Sequence, residues 1–389
     1  MEYTTFKKTG QKVSLLGMGT MRLPQSADGK VDEEAAVALI RKAIDNGINY
    51  VDTAYMYHDG TSEVITGKAL KDGYREKVLL ADKMPLWFAK EPEDMVTIFE
   101  TQLERLGTDV IDMYLIHNLT VSVWERCEKF GLLPFLEEQK RLGRIHHIGF
   151  SFHDELPFFK ELIDAYPWDF CQIQLNYMDK EYQAGLEGLR YAESKGIPVI
   201  VMEPLKGGKL TDQIPPAIAE IWSEAVVKRS PADWAFRWVA DLPGILTILS
   251  GMSSEAQLDE NLKIFSGLTA PSLTEEEQKR VERVAALYNE MIPYSCTGCK
   301  YCMPCTQKID IPTFIELFNE LHVFQNRPKA MVNFGWWFPK YKPSLCTGCK
   351  ACEAKCPQHL PISKIMSEGS MLFEGKPCAG DLAKDQNGQ

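Results

Sequence analysis

Eight short apolar runs, most followed by a stretch with apolar residues at helical spacing, occupy residues 14–251 and leave few folds open. The runs cover 14–21, 48–53, 78–84, 110–117, 145–151, 170–176, 198–203 and 245–251. Each is apolar or β-branched along its length, the composition of strands covered on both faces. Between them the spacing predicts helices over 33–46, 93–106, 134–142, 156–165, 182–195 and 231–240. Eight such units in about 250 residues predict a (β/α)8 barrel, an α/β fold in which the helices form an outer ring. A doubly wound open sheet shares the alternation and is the alternative.

In a barrel of this kind the C-terminal ends of the strands meet at one mouth. Here those ends are polar. The second run ends in Asp52, the third in Lys83, the fourth in His117 and the fifth in Ser151, while the sixth carries Gln172 and Asn176. Any one alone reads as a solvated loop residue or a cap; their joint placement marks a site. Trp87, Phe88, Trp124 and Phe152 follow the same ends, where they either line an apolar pocket or pack the loops.

The last quarter of the chain obeys a different rule. Eight of its eleven cysteines fall there in two runs. Cys346, Cys349, Cys352 and Cys356, followed by Pro357, spell C-x2-C-x2-C-x3-C-P. Cys296, Cys299, Cys302 and Cys305 form a near-copy, with two residues before the last cysteine and Thr306 after it. Structural zinc takes paired knuckles and four ligands, so a third cysteine in each run would be surplus. Disulfides belong to oxidising compartments, and the start of the chain never runs apolar long enough for an export signal. The spelling resembles that of bacterial ferredoxins, in which the fourth cysteine ligates the other cluster. That resemblance implies two [4Fe–4S] clusters, one on Cys296, Cys299, Cys302 and Cys356, the other on Cys346, Cys349, Cys352 and Cys305. Cys127 and Cys171 read as buried, and Cys378 as a thiol without a role. Trp336, Trp337 and Phe338 read as core filling between the two runs.

A net charge of −11 argues against a nucleic-acid partner. No apolar stretch approaches the roughly eighteen residues of a membrane span. A reducing cytoplasm is the expected location. A helix is predicted over 274–288, opened by a capping box of Thr274 and Glu277. The domain boundary is placed at 291–293, giving a barrel over 1–290, a small, largely helical cluster domain over 291–378 with helices near 312–324 and 362–373, and a polar tail over 379–389.

The segment 50–63, YVDTAYMYHDGTSE, sets a tyrosine five residues after an aspartate. Together with ADK at 81–83, DMYLIHN at 112–118 and QLDEN at 257–261, it resembles the aldo/keto reductase signature over about residues 10–265. With the cysteine-rich tail, the resemblance is to the subgroup that carries an appended ferredoxin-like domain. It implies an oxidoreductase that interconverts a carbonyl and an alcohol by hydride transfer. Tyr57 would supply the proton, though a tyrosine with its usual pKa of about 10 is a sluggish acid. Lys83 would lower that pKa, Asp52 would keep Lys83 charged, and His117 would orient the carbonyl.

The positions implied for a nicotinamide dinucleotide are Gly19, Thr20, Met21, Asp52, Ser151, Gln172, Met202, Leu205, Gly251, Gln257 and Asn261. Phe152 stands where the family has an asparagine, and Met202 where an aromatic commonly stacks. Gly251, Ser253 and Gln257 offer no cation to a 2′-phosphate, so NADPH preference is not expected. Small-molecule substrates and a ferredoxin or flavoprotein redox partner follow from the resemblance. Two other readings stay open: a cluster-driven reductase that has given up nicotinamide, and a non-catalytic electron carrier on a barrel scaffold.

Overall fold

The eight apolar runs pair edge to edge. A hairpin of β1 (Tyr3–Phe6) and β2 (Gln11–Ser14) precedes β3 (Leu16–Gly19), β4 (Tyr50–Asp52), β5 (Leu79–Met84), β6 (Ile111–Leu119), β7 (Ile145–Phe152), β8 (Phe170–Gln174), β9 (Val199–Met202) and β10 (Ile245–Ser250). Strands β3 to β10 are parallel and close on themselves, β10 pairing with β3. That closure removes the open-sheet alternative. The computed structural model describes residues 1–212, 214–296, 298 and 300–381. By internal packing the chain divides into two units, Met1–Thr211 with Val227–Val281, and Asp212–Val226 with Glu282–Gln389. The division thus falls within the helix Glu275–Glu290, and the helix Pro216–Ser223 between β9 and β10 goes with the second unit.

The period of a strand explains the core. Tyr50, Leu79, Ala81, Met113, Leu115, Phe170 and Ile200 form one apolar cluster inside the barrel. Their neighbours Val51, Leu80, Tyr114, Ile116, Cys171 and Val201 join the larger cluster against the helices. Successive side chains point to opposite faces, so each strand serves both. The helices that flank the barrel begin as their sequences direct; Asp32 caps Glu33–Asp45 and Ser230 caps Pro231–Ala240 through side-chain oxygens. The Thr274–Glu277 box also forms, Thr274 N–H donating to Glu277 Oε2 at 2.9 Å and Glu277 N–H to Thr274 Oγ1 at 3.2 Å.

The hairpin, absent from the sequence-based expectation, plugs the N-terminal end of the barrel. Phe6 and Val13 are fully buried in the interior cluster. Thr4 Oγ1 donates to Leu246 O at 2.6 Å, Phe6 sets its ring edge-on to His147, and Lys8 pairs with buried Asp169. All three partners lie where strands begin, so the other end alone remains for chemistry.

In the second unit, helices Ile311–Phe324, Arg327–Trp337 and Ile362–Glu374 bury Phe314, Phe318, Phe334, Phe338, Ile365 and Phe373. Phe338 fills this core as expected. Trp336 is 80% and Trp337 44% exposed, which corrects their reading as core: the helix Arg327–Trp337 turns them outward. Residues 382–389 of the expected polar tail lie outside the described residues.

Candidate active site

The two-residue period that fills the barrel with apolar side chains also builds its mouth. Continuing the inward phase from Tyr50 gives Asp52; from Leu79 and Ala81 it gives Lys83; from Met113 and Leu115 it gives His117. Ser151 and Gln172, one and two residues before the ends of β7 and β8, and Met202 at the end of β9 keep the same phase, and register sets Ser151 opposite Gln172. The sequence-predicted residues are therefore brought together as the last inward layer.

Lys83 is 1% exposed and its ammonium has three hydrogens to give. They go to Thr53 O at 2.6 Å, Asp52 Oδ1 at 2.7 Å and Tyr57 Oη at 3.5 Å. Burial works against the ammonium, but Asp52 and Tyr57 outweigh it and hold the Lys83 pKa above its ordinary value. Burial raises Asp52, with Lys83 partly offsetting it. For Tyr57 the net direction is also upward, because burial exceeds the pull of Lys83. Lys83 does lower it, as expected, but burial outweighs that pull, and the phenol stays protonated at neutral pH. His117 is pushed well below its usual range by burial and then by Lys83, so its ring is neutral, and its Nδ1 is buried without a partner.

Tyr57 is held by a strained turn. His58 (φ 51°) and Asp59 (φ 54°) both adopt the left-handed region, which costs non-glycine residues free energy and collects at functional sites. Gly60 (φ 85°) follows, and a Cβ there would meet the Arg105 guanidinium at 2.8 Å. Arg105 in turn donates to Tyr55 O at 3.2 Å and to buried Glu63 at 2.7 Å. Asn118 and Glu203, beside the mouth, are left-handed as well.

The positions implied for a dinucleotide divide into two kinds. Gln172 Oε1 is buried without a partner, and Gln172 Nε2 reaches Met202 Sδ at 3.5 Å. Ser151 Oγ accepts from Asn118 N–H at 2.8 Å. Gly19 opens onto the backbone of Ser250, and Met21 is exposed. These suit an amide-bearing ring that supplies the missing donors. Others are engaged by the protein: Thr20 Oγ1 donates to Asp52 O at 3.0 Å, Asn261 Nδ2 to Ser250 Oγ at 3.0 Å, and Gln257 Oε1 accepts from Ser253 N–H. Leu205 packs on the outer core.

Phe152 is fully buried among Phe150, Phe158 and Phe159, out of phase with Ser151. Of the two readings open to it, packing is the one that holds. Trp124 packs on Trp168, whereas Trp87 faces His117 at 5.0 Å and Phe88 is half exposed.

Two site residues escaped the sequence. Arg22 lies across Gly251 and reaches Glu203 at 3.5 Å, so the cation missing near Gly251 comes from the loop after β3. His153 feels Glu203 and Lys83 and depresses His117, and burial takes its own pKa down to about 4. Neither follows the strand period that exposed the others.

In the second unit, Cys296, Cys302 and Cys356 line one cavity with Ile315, Leu360 and Ile362. Cys299 lies outside the described residues. No described cysteine is in a disulfide. Among the described residues no three His, Cys, Asp or Glu side chains gather as they would around a single metal ion. Thiols set about an apolar cavity fit a cluster, whose ligands stand further apart than those of one ion.

A closed barrel with a buried lysine–carboxylate–tyrosine set at its mouth defines an oxidoreductase site of one class. Residues 15–286 match the model of the Aldo/keto reductase family, and the chain belongs to that family. Residues 295–360 match the 4Fe-4S dicluster domain, so the second unit is an iron–sulfur domain. The chain is similar to the aldo-keto reductase YhdN of Bacillus subtilis (strain 168), 29% identical over 326 residues, covering 73% of this chain and 93% of that protein. It is 29% identical to the L-galactose dehydrogenase of Arabidopsis thaliana over 303 residues, covering 73% of this chain and 94% of the plant protein. Among solved structures, the holo form of aldo-keto reductase AKR11C1 from Bacillus halodurans superposes with a TM-score of 0.60 at 25% identity, covering 73% of this chain and 96% of that one. An aldo/keto reductase from Klebsiella pneumoniae in complex with NADP and acetate gives 0.57 at 26% identity, covering 71% and 93%. No described helix is long and apolar enough to cross a membrane.

Proposed function

We propose that the barrel interconverts a carbonyl and an alcohol with a nicotinamide dinucleotide, and that two [4Fe–4S] clusters exchange single electrons with a ferredoxin or flavoprotein partner. The observation that carries the first half is the buried Lys83 with all three hydrogens committed. Because an ammonium accepts nothing, Tyr57 Oη is the acceptor in their contact and its own hydrogen is left for a substrate oxygen. Tyr57 gives that proton, and Lys83 stabilises the phenolate left behind. Asp52 keeps Lys83 charged in a site where an unpaired ammonium would be costly. Neutral His117 offers a hydrogen bond that orients the carbonyl, and Trp87 covers it. A bound nicotinamide would supply or accept the hydride.

Gln172, Ser151, Gly19 and Met21 are the residues that would hold its ring, with Met202 packing its thioether nearby. Thr20, Asn261 and Gln257 would brace the loops around it, and Arg22 is the cation nearest Gly251 for a phosphate. The relative named NADH-specific methylglyoxal reductase from Escherichia coli (strain K12) and the complex with NADP support a nicotinamide without choosing between the two forms.

For the clusters, the shared cavity of Cys296, Cys302 and Cys356 supports the crossed assignment, with Cys299 completing that set and Cys346, Cys349, Cys352 and Cys305 holding the second. The division into a barrel over 1–290 and a cluster domain over 291–378 belongs to the same proposal. Anaerobic purification with iron and sulfide quantification, followed by titration with NADH and NADPH, tests it. About eight irons per chain are expected for two four-iron clusters, with saturable binding of at least one nucleotide; no binding with the clusters intact sinks the nicotinamide half.

One observation favours a second reading, a reductase driven by cluster electrons alone. Phe152, where the family has an asparagine, is withdrawn into the core. Turnover with dithionite and no response to either nucleotide would establish it.

A further inference from the structure

The iron–sulfur domain carries cations that nothing described in the chain neutralises. Residues 338–360 hold four lysines, Lys340, Lys342, Lys350 and Lys355, against a single carboxylate, Glu353. Glu353 is engaged within the domain, its Oε1 accepting from Ser363 N–H at 2.8 Å. Lys308 joins the group from the other cysteine run. Its ammonium lies 5.7 Å from the centre of the Tyr341 ring, and that of Lys340 lies 5.3 Å from the same centre. The Lys342 ammonium is 5.7 Å from the Phe334 ring centre. Lys364 and Lys376 of the same domain pair with Glu368 and Glu374. Among the described residues none of the five lysines has such a partner. On a chain of net charge −11, composition alone does not produce a local excess of this sign.

The five lysines also sit at the loops of one proposed cluster. Lys308 N–H donates to Cys305 O at 2.9 Å, and Cys346 N–H donates to Pro343 O, just after Lys342, at 2.9 Å. Lys350 follows Cys349, which is exposed, and Lys355 precedes Cys356. The helix Arg327–Trp337, which leads into Lys340, ends on the outward Trp336 and Trp337, and aromatic side chains are common anchors of an interface. Two ammonium groups that share one ring repel each other, and carboxylates brought against them relieve that repulsion. Unpaired charges on a surface steer a partner of opposite sign and raise its rate of encounter.

We propose that the lysines about Cys305 and Cys346 dock the acidic face of a small one-electron carrier, which reduces the cluster at those loops. One electron leaves the reduced carrier and enters the oxidised cluster; no bond forms or breaks. The inference rests on the two-cluster reading and on single-electron exchange with a carrier. It is tested with the anaerobic holoprotein in stopped flow, against a reduced bacterial ferredoxin of strongly negative net charge and against the methyl viologen radical, a small cation. Binding of the oxidised ferredoxin is measured in parallel by calorimetry, and iron is counted in the same samples. For the wild type, the ferredoxin rate constant should fall about tenfold or more from low to high salt, and binding should weaken with it. At low salt, the triple variant Lys308→Glu, Lys340→Glu, Lys342→Glu should keep its iron, lose a similar factor with ferredoxin, and react with methyl viologen at least as fast as the wild type. The salt dependence of the wild type holds the inference to account even where the variant fails to fold. A ferredoxin rate that ignores salt overturns it, as does an iron-replete variant reduced by ferredoxin at the wild-type rate. Iron-free wild type, or clusters that neither reductant reduces, overturns instead the reading beneath it.

Discussion

Lys83 has three hydrogens and three protein acceptors, so each change in its circle strands a partner. Tyr57→Phe keeps the packing and removes the proposed proton donor; kcat for a small aldehyde should fall roughly 10²–10⁴-fold with KM little changed. Lys83→Met leaves Asp52 buried without its cation and should cost about 3–5 kcal/mol of stability, read by anaerobic denaturant unfolding. A second buried set lies one residue out of phase. Asp82 points away from the mouth to Glu63, and burial and then Glu63 raise its pKa well above the carboxylate range. As pH rises through that range, the unfolded chain releases a proton that the folded chain retains, so stability falls with rising pH. Asp82→Asn should flatten this fall when unfolding midpoints are compared from pH 4 upward; an unchanged slope would mean that the pair does not hold the proton.

At the scale of elements, the hairpin is the part whose removal the account predicts most simply. Phe6→Ala empties a place in the barrel interior and should cost about 3–5 kcal/mol in unfolding experiments while leaving KM unchanged, since the site lies at the other end of the strands. What could be read in advance follows from burial. The eight barrel strands are covered on both faces and announce themselves as apolar runs, and their period placed Asp52, Lys83, His117, Ser151 and Gln172 without a structure. The hairpin exposes Gln11, Lys12 and Thr5 and buries little beyond Phe6 and Val13, so it carries no such run. The helix Thr61–Ala69 buries Ser62, Glu63 and Thr66, which hides its apolar face. Its Gly67 lets it press on the backbone of Leu106, where a Cβ would come within 2.5 Å of the carbonyl oxygen. Arg22 and His153 reach the mouth from loops, and Phe152 leaves it because its phase opposes that of Ser151; none of these follows from residue type.

The whole molecule joins an aldo/keto reductase barrel to an iron–sulfur domain; in the proposed function the first moves electrons in pairs and the second moves them singly. The cysteine spelling announced that domain. If the crossed assignment is right, Cys356→Ser disturbs the cluster of Cys296 and Cys302, not that of its own run, and paramagnetic resonance of the reduced variant should show the loss of one signal. The most direct measurement of the central claim is label transfer. The anaerobic holoenzyme is given a small aldehyde with NADH or NADPH deuterated at the reactive carbon, and the alcohol is examined by mass spectrometry. The account predicts one deuterium on the carbinol carbon, transferred far more slowly by Tyr57→Phe. Unlabelled alcohol, formed only when dithionite reduces the clusters, would contradict it.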